Sequence, residues 1–82
     1  MDNKEFLKTL GLNIKLARTI RGYSQDDIAG MLDIDKSYFS KLERGLANPS
    51  IIYLRELSAC LGVDIKELVD TDLSAKKMLS LK

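Results

Sequence analysis

Residues 33–45 read DIDKSYFSKLERG, and five of their side chains, Lys36, Ser37, Tyr38, Ser40 and Lys41, can donate hydrogen bonds from one helix-sized segment. Only Phe39 and Leu42 stand at the three-residue spacing that buries a helix face, so the polar residues look outward. Two cations and three hydroxyls so placed suit recognition of acceptors in a groove rather than bond making. Asp33 and Asp35 precede the segment, and the second reads as its N-cap.

The rest of the chain offers no competing chemistry. Cys60 is the only cysteine and histidine is absent, which excludes an intramolecular disulfide, a zinc site and a Cys–His nucleophile. A catalytic site would need carboxylates, lysines or serines in a pocket, and 82 residues leave little interior for a cleft once a core is packed. Asp26 and Asp27 read as helix-start acids favoured by the helix dipole, not as a catalytic pair. Cys60 reads as a small, partly buried hydrophobe. The expectation is a protein that is not an enzyme, with no cofactor, metal or small-molecule ligand.

An apolar fraction of 45% and a charged fraction of 30% are those of a soluble single domain. No apolar run approaches the ~20 residues that span a bilayer. Asp2, Lys4, Glu5 and Lys8 interrupt the start of the chain, which points to a cytoplasmic location. Net charge is only +1, but it is unevenly spread. Residues 1–22 carry five basic and two acidic groups, and residues 23–35 carry four aspartates and no base. Residues 36–55 return to four basic groups against one acidic, so a basic face is available without a basic protein.

Strand patterns are missing and the spacing predicts helices throughout. Leu7, Leu10, Ile14 and Ala17 mark a helix over about 4–21 ending at Gly22, with Leu12, Leu16 and Ile20 as a second apolar stripe that needs a cover. Ser24 and Asp27 form a capping box for a helix over about 25–32, with Ile28, Ala29 and Leu32 facing in. The next helix covers about 36–44 and stops at Gly45. After Asn48 and Pro49, Ser50 caps a fourth helix built on Leu54, Leu57, Ser58 and Leu61. Asp64 with Glu67 predicts a second capping box, starting a fifth helix on Ile65, Leu68 and Val69. Leu73, Met78, Leu79 and Leu81 suggest a short further helix in a C-terminal tail over 71–82, marginal without a docking surface.

Two short helices joined by three residues are the sequence form of a helix-turn-helix. Ala29 is the small residue the crossing requires, and Phe39 with Leu42 pins the second helix. The run over residues 10–68 resembles the Cro and phage-repressor (XRE-like) helix-turn-helix family. The resemblance rests on Arg18, Gly22-Tyr23-Ser24-Gln25, Ala29, Phe39 with Leu42, Glu43-Arg44-Gly45, Asn48-Pro49-Ser50 and Leu61-Gly62-Val63. It implies an all-α, five-helix, lambda-repressor-like DNA-binding domain over 1–70.

The resemblance also implies roles. Lys36, Ser37 and Lys41 become base readers, with Tyr38 and Ser40 near the groove walls. Gln25 becomes a phosphate or base-edge contact, and Ser24, Arg44 and Asn48 become phosphate ligands. Lysine opposite guanine O6 and N7 is a favourable pairing, and Asp35 is placed to accept from a cytosine amine. Arg18 and Glu43 are implied to form a structural ion pair.

One helix reads only a few base pairs, so a homodimer on a pseudo-palindromic operator in double-stranded DNA is expected, its recognition helices about one turn, ~34 Å, apart. Ile65, Leu68, Val69, Leu73, Met78 and Leu79 are the expected interface, together with the outer stripe of the first helix. Glu43-Arg44-Gly45 and Asn48-Pro49-Ser50 point within the family towards restriction-modification controller proteins. The rival reading is a protein-interaction module, an antitoxin or adaptor that keeps the fold.

Overall fold

The computed structural model describes residues 1–72. Five helices follow one another: α1 (Asn3–Ile20), α2 (Gln25–Leu32), α3 (Lys36–Glu43), α4 (Ile51–Leu61) and α5 (Ile65–Leu68). There is no strand among the described residues. Each of the first four starts where a short polar side chain turns back on the first turn. Asp2 accepts from the Glu5 amide at 2.8 Å, Ser24 from Asp27 at 3.0 Å, Asp35 from Ser37 at 3.0 Å and Ser50 from Tyr53 at 3.1 Å. The Ser24–Asp27 capping box closes in both directions. The expected box at Asp64 does not form: the Asp64 side chain makes no cap hydrogen bond, and α5 runs for only four residues. With so few residues, α5 is held by what it packs against rather than by its own turns.

The first four helices end in the same way. An amide two or three residues past each helix reaches back to the carbonyl five residues earlier: Tyr23 to Arg18, Ile34 to Ala29, Leu46 to Lys41 and Val63 to Ser58. This termination demands a left-handed residue. Gly22, Gly45 and Gly62 supply it at three ends, and Asp33, with φ 54° and ψ 52°, supplies it at the fourth. A side chain in that region costs energy that glycine avoids, with aspartate among the better-tolerated residues. Asp33→Gly is therefore expected to raise the melting temperature by a few °C, measurable by circular dichroism.

Leu10, Ile14, Ile28, Phe39, Leu42, Leu54, Leu57, Leu61 and Leu68 form one buried cluster that draws on all five helices. α1 packs on α3 and α5, α2 on α3 and α4, and α4 on α5. The approach of α1 to the end of α3 depends on Gly11. A Cβ there would stand 2.6 Å from the Leu42 carbonyl oxygen and nearer still to that of Glu43. Asn13, inside α1 and buried, donates through Nδ2 to the carbonyl oxygens of Leu68 at 2.7 Å and Asp70 at 2.9 Å. One side chain thereby ties off the end of α5. Thr71 and Asp72 follow without regular structure, and the expected tail helix with Leu73, Met78, Leu79 and Leu81 lies outside the described residues.

Candidate nucleic-acid interface

The connection from α2 to α3 is three residues long, so the two helices are held at a fixed angle by very little backbone. Asp33 turns the chain left-handed, Ile34 packs against the core, and Asp35 is extended with its carboxylate on the Ser37 amide. Phe39 and Leu42 are fully buried and Ala29 is buried beneath the crossing, which leaves α3 one outward side. Lys36, Ser37 and Lys41 are exposed on it, as are Arg44 and Asn48 in the loop that follows. Ser24 and Asp35 are exposed at the N-termini of α2 and α3. Arg44 folds back, its Nε donating to the Ser40 carbonyl at 3.3 Å.

Three of the residues expected on the reading face are partly occupied elsewhere. Gln25 is half-buried and donates through Nε2 to Glu43 Oε1 at 2.9 Å, so its side chain points to the interior edge rather than outward. Tyr38 is half-buried and meets the Tyr53 ring edge-on, centroids 5.6 Å apart at 83°. Such a pair fixes one wall of the face against α4. Burial, with lesser contributions from Tyr38, Glu56 and Cys60, pushes the Tyr53 phenol up to about 12. Ser40 is half-buried, not fully outward.

Arg18 and Glu43 tie the far end of α3 to α1. Arg18 Nε donates to Glu43 Oε2 at 2.6 Å and Nη2 to Oε1 at 3.0 Å, while Nη1 donates to the Tyr23 carbonyl at 2.8 Å. Side-chain exposure is 13% for Arg18 and 3% for Glu43, so the carboxylate is effectively out of water. The hydrogen bond to Glu43 holds the guanidinium more firmly protonated than usual, against the opposing effect of its partial burial. With Gln25 added, α1, α2 and α3 converge on one carboxylate.

Sequence reading did not find Asn13, whose role depends on carbonyls more than fifty positions away, nor the pair between Lys36 Nζ and Asp26 Oδ2 at 3.2 Å. Helical spacing offers no signal for either, because both partners sit on different helices. Tyr53 as the counterpart of Tyr38 was equally hidden.

Of the expected interface residues, Leu68 turns out to be a core side chain and faces inward. Ile65 and Val69 are half-buried against the core; Leu73, Met78 and Leu79 lie outside the described residues. The outer stripe of α1 is open, Leu12 at 45% and Ile20 at 80% exposure. Leu16, Ala17, Ile20, Leu61 and Val63 line a mainly apolar groove of about 470 Å³ between α1 and the α4–α5 end, with Arg21 and Glu67 at its lining too. Among the described residues no helix is long and apolar enough to cross a membrane.

Residues 14–68 match the helix-turn-helix family model HTH_3. The chain belongs to the helix-turn-helix family. The regulator SlrR of Bacillus subtilis is 42% identical over 64 residues, a match covering 77% of this chain and 42% of SlrR. The crystal structure of the biofilm master regulator SinR in complex with DNA superposes with a TM-score of 0.70 at 42% identity, over 74% of this chain and 98% of that one. The restriction-modification controller protein C.AhdI of Aeromonas hydrophila superposes with a TM-score of 0.72 at 32% identity, over 76% of this chain and 94% of that one. The helix-turn-helix chain spans about half the length of the curated regulators it matches, 42% of SlrR and 56% of SinR. Helix-turn-helix regulators of this kind are not enzymes, and α2 and α3 are the family's two defining helices.

Proposed function

We propose that this helix-turn-helix chain is a sequence-specific DNA-binding regulator of transcription, acting in the cytoplasm as a homodimer on a pseudo-palindromic operator. The observation that carries the reading is the outward side of α3: a cationic, hydroxyl-rich face held off the core by Phe39 and Leu42 at the end of a three-residue turn. Lys36, Ser37 and Lys41 read base edges in the major groove, where each base pair shows a distinct donor and acceptor pattern. Ser24, Arg44 and Asn48 hold phosphates on either side and set the register. Gln25 acts chiefly from within, fixing Glu43, and Tyr38 is a wall rather than a free reader. The similarity to C.AhdI supports control of its own gene together with restriction-modification genes.

Dimerisation is assigned to the groove between α1 and the α4–α5 end, lined by Leu16, Ala17, Ile20, Leu61 and Val63, with Leu12 exposed on the same helix. Apolar surface left in this way at the mouth of a groove is the usual mark of an interface. Ile20→Glu, at an exposed position, is expected to leave helicity and melting intact but convert the dimer to a monomer in sedimentation, weakening operator binding at least about tenfold because the two half-sites are no longer linked. Persistent dimers would place the interface elsewhere.

The function itself is tested by passing fragments of the organism's own genome over the immobilised protein and sequencing what is retained. The expected result is a small set of fragments sharing an inverted repeat with half-sites about one helical turn apart. No enrichment over input would favour the rival reading, a protein-interaction module.

A further inference from the structure

The groove between α1 and the α4–α5 end carries charge as well as apolar surface. Arg21 caps the end of α1 and Glu67 stands in α5; both are exposed and both line the groove. Among the described residues neither has an oppositely charged group within ion-pair distance. Arg21 is nonetheless held in place. Its guanidinium lies over the bare backbone of Gly62, where a Cβ would stand 2.9 Å from Nη1. Asp70, the third charged residue of the lining, is engaged within its own chain: its Oδ1 accepts from the Asp72 amide at 2.9 Å and its carbonyl oxygen from Asn13 at 2.9 Å. Ile20 projects from the same lining at 80% exposure.

We propose that Arg21 and Glu67 pair reciprocally across the homodimer, Arg21 of each copy with Glu67 of the other, and so fix the register in which the two grooves meet. This rests on the proposed dimerisation through this groove. The occupant is a second copy because the patch suits itself. In a twofold contact one surface meets its own image, so a residue that touches a second one is touched back in the same way. A patch of one sign would be repelled by its copy. One that holds a cation and an anion on separate elements gains two ion pairs from a single arrangement and forfeits them when the copies slip. Shape argues likewise: Ile20 stands out while Leu16, Ala17, Leu61 and Val63 are set back, so each copy offers a side chain to insert and a recess to receive it. Apolar burial supplies the affinity, and the exposed pairs, weak in themselves, serve to exclude wrong arrangements.

The test is sedimentation equilibrium of the full chain, of Arg21→Glu, of Glu67→Arg and of an equimolar mixture of the two variants, one of them fluorescently labelled. Each variant alone faces two like-charge contacts per dimer, and its dimer dissociation constant is expected to rise at least about tenfold. In the mixture each reversed charge meets an opposite one, so heterodimers are expected to form with a constant within about threefold of the unaltered chain's. A contact between Arg21 and Glu67 of the same chain could not be rescued by mixing, since neither variant carries both reversals. Single variants that dimerise like the unaltered chain, or a mixture that associates no more tightly than they do, would overturn the pairing, while Ile20→Glu tests the groove separately. An unaltered chain that stays monomeric removes the dimer reading and this inference with it, and leaves the groove to residues 73–82 or to another protein. Should a reversal lower the melting temperature, Arg21→Gln and Glu67→Gln replace it in a double-mutant cycle on the dimer constant. Non-additive losses are then expected, and additive losses overturn the pairing.

Discussion

Arg18→Ala is expected to lower the melting temperature by at least about 12 °C. The substitution removes three donors at once and strands the Glu43 carboxylate, 3% exposed, where α1, α2 and α3 meet. Breaking a buried pair from one side costs roughly 3–5 kcal/mol, because an uncompensated charge stays out of water. For a domain of this size each kcal/mol moves the midpoint by about 4–8 °C. Total stability is itself only about 5–15 kcal/mol, so the variant will be close to unfolding at working temperatures. Glu43→Gln should be milder, since Arg18 is the more exposed partner at 13% and can turn its charge towards solvent. Arg18→Lys should fall between, keeping the charge and losing the two-point grip. Thermal melts of the three variants check the order, and an unchanged midpoint for Arg18→Ala would remove the pair from the stability argument.

Lys36→Glu with Lys41→Glu is expected to abolish operator binding while the protein stays folded and dimeric. A good lysine–guanine pairing discriminates by about 1–3 kcal/mol, and reversal adds repulsion from the phosphates, so the combined loss is roughly a hundredfold or more. Neither lysine is needed by the fold: both are exposed, and the Lys36–Asp26 pair is a surface contact worth little. Reversal at Lys41, in the last turn of α3, weakens that helix by only a fraction of a kcal/mol through the dipole. Gel shift on the recovered fragment, with sedimentation of the same samples, separates lost reading from lost assembly. If the double variant still bound the operator with wild-type affinity, α3 would not be the reading helix.

The two experiments probe opposite ends of one helix. Glu43 closes α3 in the protein interior and Lys36 opens it at the surface, eight residues in all. A helix that short is not stable alone in water. Its aim is set by Phe39 and Leu42 in the core and by the convergence of Arg18 and Gln25 on its last carboxylate. The orientation of α3 and the stability of the fold are therefore linked through Glu43.

Much of this was legible in the chain because it is local. Ser24 with Asp27, Ser50, Gly22, Gly45 and Gly62 mark ends through interactions spanning at most five residues, and Phe39 with Leu42 shows its face through helical periodicity. Where a local rule met a tertiary one, it failed. Asp64 and Glu67 have the spacing of a capping box, yet α5 is four residues held from outside by Asn13 and the core, so the box is not made.

The sequence by itself determined the helical elements, the caps of α2, α3 and α4, the family and the outward polarity of α3, because these follow from spacing along one chain. Only the tertiary structure decided that Gln25 turns in to Glu43, that Tyr38 leans on Tyr53, that Leu68 is core, and that Asp26 holds Lys36. Each of these is a contact between separate helices, and which side chains meet there depends on crossing angles and close approaches such as that at Gly11, which no periodicity encodes.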